Sequence, residues 1–144
     1  MDRIGFRFGN RSVVHGNRDR GYKMKFFIPG TLPSLNEVIE ANRRNKYAGA
    51  MLKRETQKLI DAYISISSLT PVKSPVTIHI EWREPNNRRD VDNIQSSKKF
   101  ILDSLVEMKI LPNDTRRWVT QIHDTVITDK EHPGVMVEIC ESCT

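Results

Sequence analysis

Val76-Thr77-Ile78-His79-Ile80-Glu81-Trp82-Arg83 alternates apolar and polar side chains, and Arg88-Arg89-Asp90-Val91-Asp92-Asn93-Ile94 follows it across the break Glu84-Pro85-Asn86-Asn87. Strict alternation is the pattern of a strand with one buried face. Beyond the break the spacing changes. Ile94, Ile101, Leu105 and Met108 recur at intervals of seven, four and three, which puts them on one buried face of a helix running to about Lys109. The second stretch thus joins a strand to a helix, a place where a site can be built, and it leads two cations into two carboxylates one residue apart. Carboxylates at that spacing share a face where the backbone is extended. Like charges held together call for a cation, and oxygen donors suit Mg²⁺ or Mn²⁺. The same residues also read as an acidic turn capping the helix, since Asp and Asn are favoured there.

Downstream, Asp92, Ser96, Lys99 and Asp103 fall at four, three and four on a second stripe of the helix. This sets a lysine on the same side as a carboxylate, which suits phosphate chemistry. It also reads as an ordinary Lys99–Asp103 surface pair, worth a few tenths of a kcal/mol. Leu111-Pro112-Asn113-Asp114 ends the helix and adds a further carboxylate, which has a second reading as a turn residue. Arg116 and Arg117 follow at once. Trp118 to Ile127 reads as a strand, Asp129 to Gly134 as a turn, and Val135, Val137 and Ile139 mark a last strand. The last two strands are expected to form an antiparallel hairpin.

Upstream, Lys25-Phe26-Phe27-Ile28 is a short strand stopped by Pro29-Gly30. Pro33-Ser34-Leu35-Asn36 opens a helix, with Ser34 as N-cap, Glu37 in the capping-box position and Leu35, Val38 and Ile39 as its apolar stripe. Asn42 to Gly49 interrupts that pattern with Arg43, Arg44, Lys46 and Tyr47. One reading is a loop that touches phosphates, with Tyr47 stacking on a base or sugar. The other is a solvated connection with Tyr47 packed on the core. Helix resumes from Ala50 to about Ser65, with Leu52, Leu59, Ile60 and Tyr63 to one side. His79 falls on the polar face of its strand, with nothing nearby in sequence to complete a site. Helices interleaved with about four strands indicate an α/β (α+β) protein: a single two-layer domain with a mixed sheet packed against helices.

At 144 residues the chain suits one domain with a real core. No run approaches the ~18 apolar residues of a membrane span, and the first residues lack the apolar stretch of a signal peptide, so the cytoplasmic compartment is the default. Residues 1–23 carry a net +4 (six Lys and Arg against Asp2 and Asp19) of the total +5. They read as a flexible basic extension before a domain spanning residues 24–144. Any DNA-binding surface on that domain must come from local clustering of cations. Cys140 and Cys143 form a C-x-x-C near the end, without the second pair that a structural zinc site requires.

Arg89-Asp90-Val91-Asp92-Asn93, then Lys99-Phe100-Ile101-Leu102-Asp103-Ser104-Leu105, then Asn113-Asp114, resemble the RusA family of phage and prophage Holliday-junction resolvases. Pro33 to Asn36 and Asn42 to Gly49 are similar to the family's N-terminal region, and the likeness spans roughly Met24 to Ile139. The resemblance implies a Mg²⁺-dependent homodimeric endonuclease that cuts four-way DNA junctions, with Mn²⁺ as a substitute and no small-molecule cofactor. Its carboxylates map onto Asp90, Asp92 and Asp114 as metal ligands. The chain departs from the pattern twice: Asn113 replaces the first acid of the downstream pair, and Ser96 stands where the family's lysine commonly lies. Relative to that spacing there are three extra residues before Phe100. Aligning on the Phe-Ile-Leu-Asp turn makes Lys99 the counterpart, with Lys98 the fallback. Arg88 and Arg89 are expected to flank the scissile strand, and Arg43, Arg44, Lys46, Arg116 and Arg117 to hold backbone phosphates. Two alternatives belong beside this: a branched-DNA binder that does not cut, and a nuclease preferring flaps or forks.

Overall fold

In the computed structural model, which describes residues 22–141, the chain runs β1 (Tyr22–Pro29), α1 (Leu35–Arg44), α2 (Lys46–Ser65), β2 (Val76–Glu84), α3 (Val91–Gln95), α4 (Lys98–Glu107), β3 (Val119–Thr128) and β4 (Gly134–Glu141). The alternation in β2 does what its pattern requires. Val76, Ile78, Ile80 and Trp82 are buried, while Thr77, His79, Glu81 and Arg83 turn to the other face. One mixed sheet results, in the order β1-β4-β2-β3, with β2 and β3 parallel and β4 antiparallel to both its neighbours. Parallel neighbours need a crossover, and α3 and α4 supply it. The core lies between sheet and helices, where Phe26, Ile28, Val137 and Ile139 meet Ile60, Ile64, Ile94, Ile101 and Leu105. Each such side chain contributes on the order of 1.5–3 kcal/mol. The fold is a single two-layer α+β domain with a four-stranded mixed sheet.

The expected hairpin of the last two strands does not form. β4 inserts between β1 and β2, and β3 is left at the edge. Burial explains the choice: Val135, Val137 and Ile139 are all buried, which suits a central strand, whereas β3 is mostly exposed. The Asp129 N–H donates to the Glu84 carbonyl at 2.7 Å, which carries the chain across the end of β2. It lands at Gly134, where any Cβ would sit 2.6 Å from the Ile28 carbonyl oxygen and 2.2 Å from the Phe27 ring.

Boundaries also move. Tyr22 and Lys23, assigned from sequence to the extension, already pair with Glu141 and Cys140. The rest of that extension, and Cys143, lie outside the described residues. Ser34 and Glu37 form the expected capping box, yet Leu35 and Ile39 are exposed and only Ala41 of α1 is buried. Asn42 to Gly49 is not a loop. Asn45 alone is extended; it closes α1 through Ala41 and caps α2 by accepting from the Ala48 N–H at 2.8 Å. Tyr47 is 79% exposed, which removes the core-packed reading. In α2 the buried stripe is Thr56, Ile60 and Ile64, with Leu59 turned to solvent.

The helix expected from the motif to Lys109 is two helices, broken at Ser96–Ser97. Ser97 is fully buried and its hydroxyl donates to the Pro33 carbonyl. α4 then ends in a Schellman turn. Ile110 N–H donates to Leu105 at 2.9 Å and Lys109 N–H to Val106 at 3.0 Å, with Lys109 at φ 63° where glycine is preferred. Among the described residues no helix is long and apolar enough to cross a membrane.

Candidate active site

The chain leaves β2 through buried Glu84, which Arg89 grips with two parallel bonds, Nε to Oε1 at 3.0 Å and Nη2 to Oε2 at 2.8 Å. A third donor, Nη1, reaches the Leu32 carbonyl at 2.9 Å. Two further bonds join the same segments. Asn93 Oδ1 accepts from the Asn36 N–H at 3.3 Å, satisfying a donor that the start of α1 leaves unpaired, and Ser97 donates to Pro33. Leu32 to Asn36 and Arg89 to Ser97, which include two of the stretches that carry the resemblance, are therefore laced together. Arg89 is a strut of this lacing and is not available to flank a DNA strand as expected.

Asp90 occupies the N-cap position of α3 in extended conformation, but its side chain makes no capping bond. Asp92 lies in the first helical turn, so the extended-backbone argument for a shared face covers only the first of the two acids. Both are exposed, and among the described residues neither carboxylate has a hydrogen bond or ion pair.

Lys99, in the first turn of α4, lies between two acids: Nζ is 2.9 Å from Asp114 Oδ2 and 3.1 Å from Asp103 Oδ1. Hydrogen bonding to Asp114 first, and to Asp103 second, raises the Lys99 pKa above its ordinary 10.5. The same bond holds the Asp114 carboxyl below its ordinary 3.8. Asn113, standing where an acid was expected, shapes the loop: its Oδ1 accepts from the Thr115 N–H at 3.1 Å and hydroxyl at 2.6 Å. Lys99 remains 67% exposed, within reach of a ligand.

Lys98 turns the other way. Its Nζ lies 2.6 Å from Asp124 Oδ2 in β3, and the other oxygen of that acid accepts from the Trp82 indole at 2.8 Å. This separates the two lysines: Lys98 braces α4 against the sheet, and Lys99 serves the Asp114 loop. Sequence reasoning passed over Asp124, although an acid in phase with Ile122 and Val126 on a strand was a signal of an inward-facing charge needing a partner.

Among the described residues no group of three or more His, Cys, Asp or Glu side chains is placed to hold a metal ion. Asp90, Asp92 and Asp114 are thus not gathered into the expected triad; Asp114 is instead joined to Lys99. The donor set at Asp90 and Asp92 nevertheless fits Mg²⁺. That ion takes hard oxygens, commonly from one or two carboxylates, and fills its remaining positions with water and substrate phosphate. Arg43 and Arg44 in the last turn of α1, Lys46 opening α2, Arg88 beside Asp90, and Arg116 and Arg117 after Asp114 are all exposed. Their side chains have no hydrogen bond or ion pair among the described residues. No protein-family model and no curated protein matches the chain.

Proposed function

We propose that the chain is a Mg²⁺-dependent, structure-specific endodeoxyribonuclease that resolves four-way DNA junctions in recombination and repair, in keeping with its resemblance to the RusA family. The observation that carries this reading is the Lys99–Asp114 pair. Two residues fifteen positions apart, chosen by aligning sequence motifs, meet at 2.9 Å on an exposed surface.

Asp90 and Asp92 would hold the metal, which when bound supplies an activated water and charge stabilisation at the phosphate. The protein's own groups do the rest. Asp114, kept ionised by Lys99, offers an acceptor that orients a water. Lys99 retains exposed N–H donors for a phosphate oxygen, and Arg88, Arg116 and Arg117 fix the backbone on either side. Such contacts read position and junction shape, with base contacts adding only a cleavage preference. Productive resolution needs paired cuts, which a two-fold dimer provides.

A second reading, binding of branched DNA without cutting, is favoured by one observation: the three acids are not gathered together. A panel of labelled junction, fork, duplex and single-stranded DNA, incubated with Mg²⁺ or with EDTA, separates the readings. Metal-dependent cutting of the junction supports resolution, and preferred cutting of forks supports the flap-type nuclease. Retention of the junction without any product supports the binder.

A further inference from the structure

His79 stands on the exposed face of β2, where the local sequence offers it no partner, and the fold supplies one. β2 and β3 run parallel with His79 opposite His123 in the register, and Glu138 of β4 is opposite His79 on its other side. All three therefore lie in one row across the sheet, on the face that the helices leave open. Neighbouring strands are about 4.8 Å apart, and the two rings stack with centroids 4.9 Å apart and planes 16° from parallel. Both histidines are exposed, and the junction chemistry proposed above uses neither.

In a neutral imidazole one nitrogen carries the proton and the other a lone pair. On His123 Gln121 makes that choice: Nε2–H donates to its Oε1 at 3.0 Å, which leaves the lone pair on Nδ1. A hydrogen bond from the far nitrogen is how metal-ligating histidines are commonly held. The His79 ring has no hydrogen bond among the described residues, so either of its nitrogens can turn toward the same point. Glu138 places a carboxylate beside the pair, which offsets the charge of an arriving cation. Lys25, the register partner of Glu138 in β1, is one strand further away.

We propose that His79 and His123 together bind one divalent late transition ion of the imidazole-preferring class, such as Zn²⁺, which ties the edge strand β3 to β2. To bind it the rings tilt out of their stack until the free nitrogens converge at about 2.0–2.1 Å from the ion. Exposed side chains make that rotation without disturbing the core. Glu138 is not gathered with the rings into a three-group cluster, so water fills the remaining positions. This ion is chemically distinct from the one assigned to Asp90 and Asp92. Mg²⁺ takes hard oxygens, whereas imidazole suits Zn²⁺, Cu²⁺ and Ni²⁺. The site lies on the face of the sheet opposite the helices that carry those acids, and its binding does not depend on whether the chain cuts DNA.

The test is a Zn²⁺ titration of the full chain in excess Mg²⁺, read by calorimetry and by NMR of the histidine rings, with amide exchange along residues 119–128. One ion per chain is expected, shifting the ring signals of His79 and His123 and leaving those of His15 and His132 in place. His79→Gln and His123→Gln keep a polar, exposed side chain, so circular dichroism should not change, and each should weaken binding by about tenfold or more. Gln121→Ala should weaken it by roughly tenfold. Zn²⁺ at about ten times its Kd should slow exchange of the β3 amides by about tenfold in the wild type, because opening the strand breaks the site. It should not do so in His123→Gln. Absence of binding at submillimolar Zn²⁺ overturns the proposal, and so does an affinity that both glutamine variants leave unchanged. An ion that settles on Cys140 and Cys143 while the His79 and His123 signals stay in place overturns it too. Junction cleavage is not read in this experiment, so failure of the zinc site and failure of the nuclease reading are distinguished.

Discussion

Lys99 Nζ sits 2.9 Å from the Asp114 carboxylate and 3.1 Å from that of Asp103, so a single exposed ammonium ties the first turn of α4 to the loop that leads into β3. The break at Ser96–Ser97 starts a new helix at Lys98, and Lys99 projects from its first turn towards the Asp114 loop. Its neighbour Lys98 is held against Asp124 and Trp82. Adjacent residues of one type thus have different tasks.

That division predicts opposite phenotypes. Lys98→Ala leaves Asp124 half-buried without its cation and should lower unfolding free energy by about 1–3 kcal/mol in urea. Lys99→Ala removes an exposed pair and should change stability by less than about 1 kcal/mol, while lowering junction turnover by roughly 10²–10³-fold. Loss of turnover in Lys98→Ala alone, at full stability, contradicts the assignment.

Protonation follows from the same pair. Asp114 is held below 3.8 and Lys99 above 10.5. The depressed acid adds stability above its unfolded pKa and loses it as pH falls through the folded value. The raised lysine adds stability below its unfolded pKa and loses it as pH rises through the folded value. The pair is therefore intact from about pH 4 to pH 10, and its contribution is small because Lys99 is exposed. A carboxyl NMR titration should find the Asp114 midpoint below 3.8, moving upward in Lys99→Met. An unmoved midpoint means that the pair does not form in solution.

Arg89 and Arg88 should also separate. Arg89→Met leaves buried Glu84 without its bidentate partner and frees the Leu32 carbonyl, so it should destabilise the fold by about 3 kcal/mol. Arg88 is exposed and its side chain has no partner among the described residues. Arg88→Ala should leave the melting temperature unchanged while weakening junction binding and reducing its salt dependence.

Lys109 holds a left-handed conformation at the end of α4. Lys109→Gly removes that strain and should stabilise the fold by about 1 kcal/mol in chemical denaturation. Gly134→Ala should do the reverse by about 2 kcal/mol, because the backbone oxygen of Ile28 cannot yield to a Cβ.

The strands were legible because Val76 to Trp82 and Val135 to Ile139 alternate cleanly, and the capping box at Ser34 was legible from its spacing. Strand order was not. Nothing local in β4 says that it passes over β2 to reach β1, since that depends on a crossing contact between Asp129 and Glu84. The helix break at Ser96–Ser97 was hidden because Ile94 and Ile101 keep a helical spacing across it, while the deciding bond, Ser97 to Pro33, spans 64 residues. The asparagine at 45 looked like loop chemistry for a sound reason, but one extended residue can cap two helices at once. At the site, spacing selected Lys99 and Asp114. It could not show that Arg89 is consumed by Glu84, because a bidentate partner five residues away is decided by the fold.

Under the proposed function, Asp90 and Asp92 hold the metal that cuts DNA. Its most direct test is the cleavage of a labelled synthetic four-way junction in Mg²⁺ by wild type and by Asp92→Asn, with binding measured in parallel. Paired nicks by the wild type are expected, with junction affinity retained in the variant and no product from it. Cleavage by Asp92→Asn at the wild-type rate would contradict the claim.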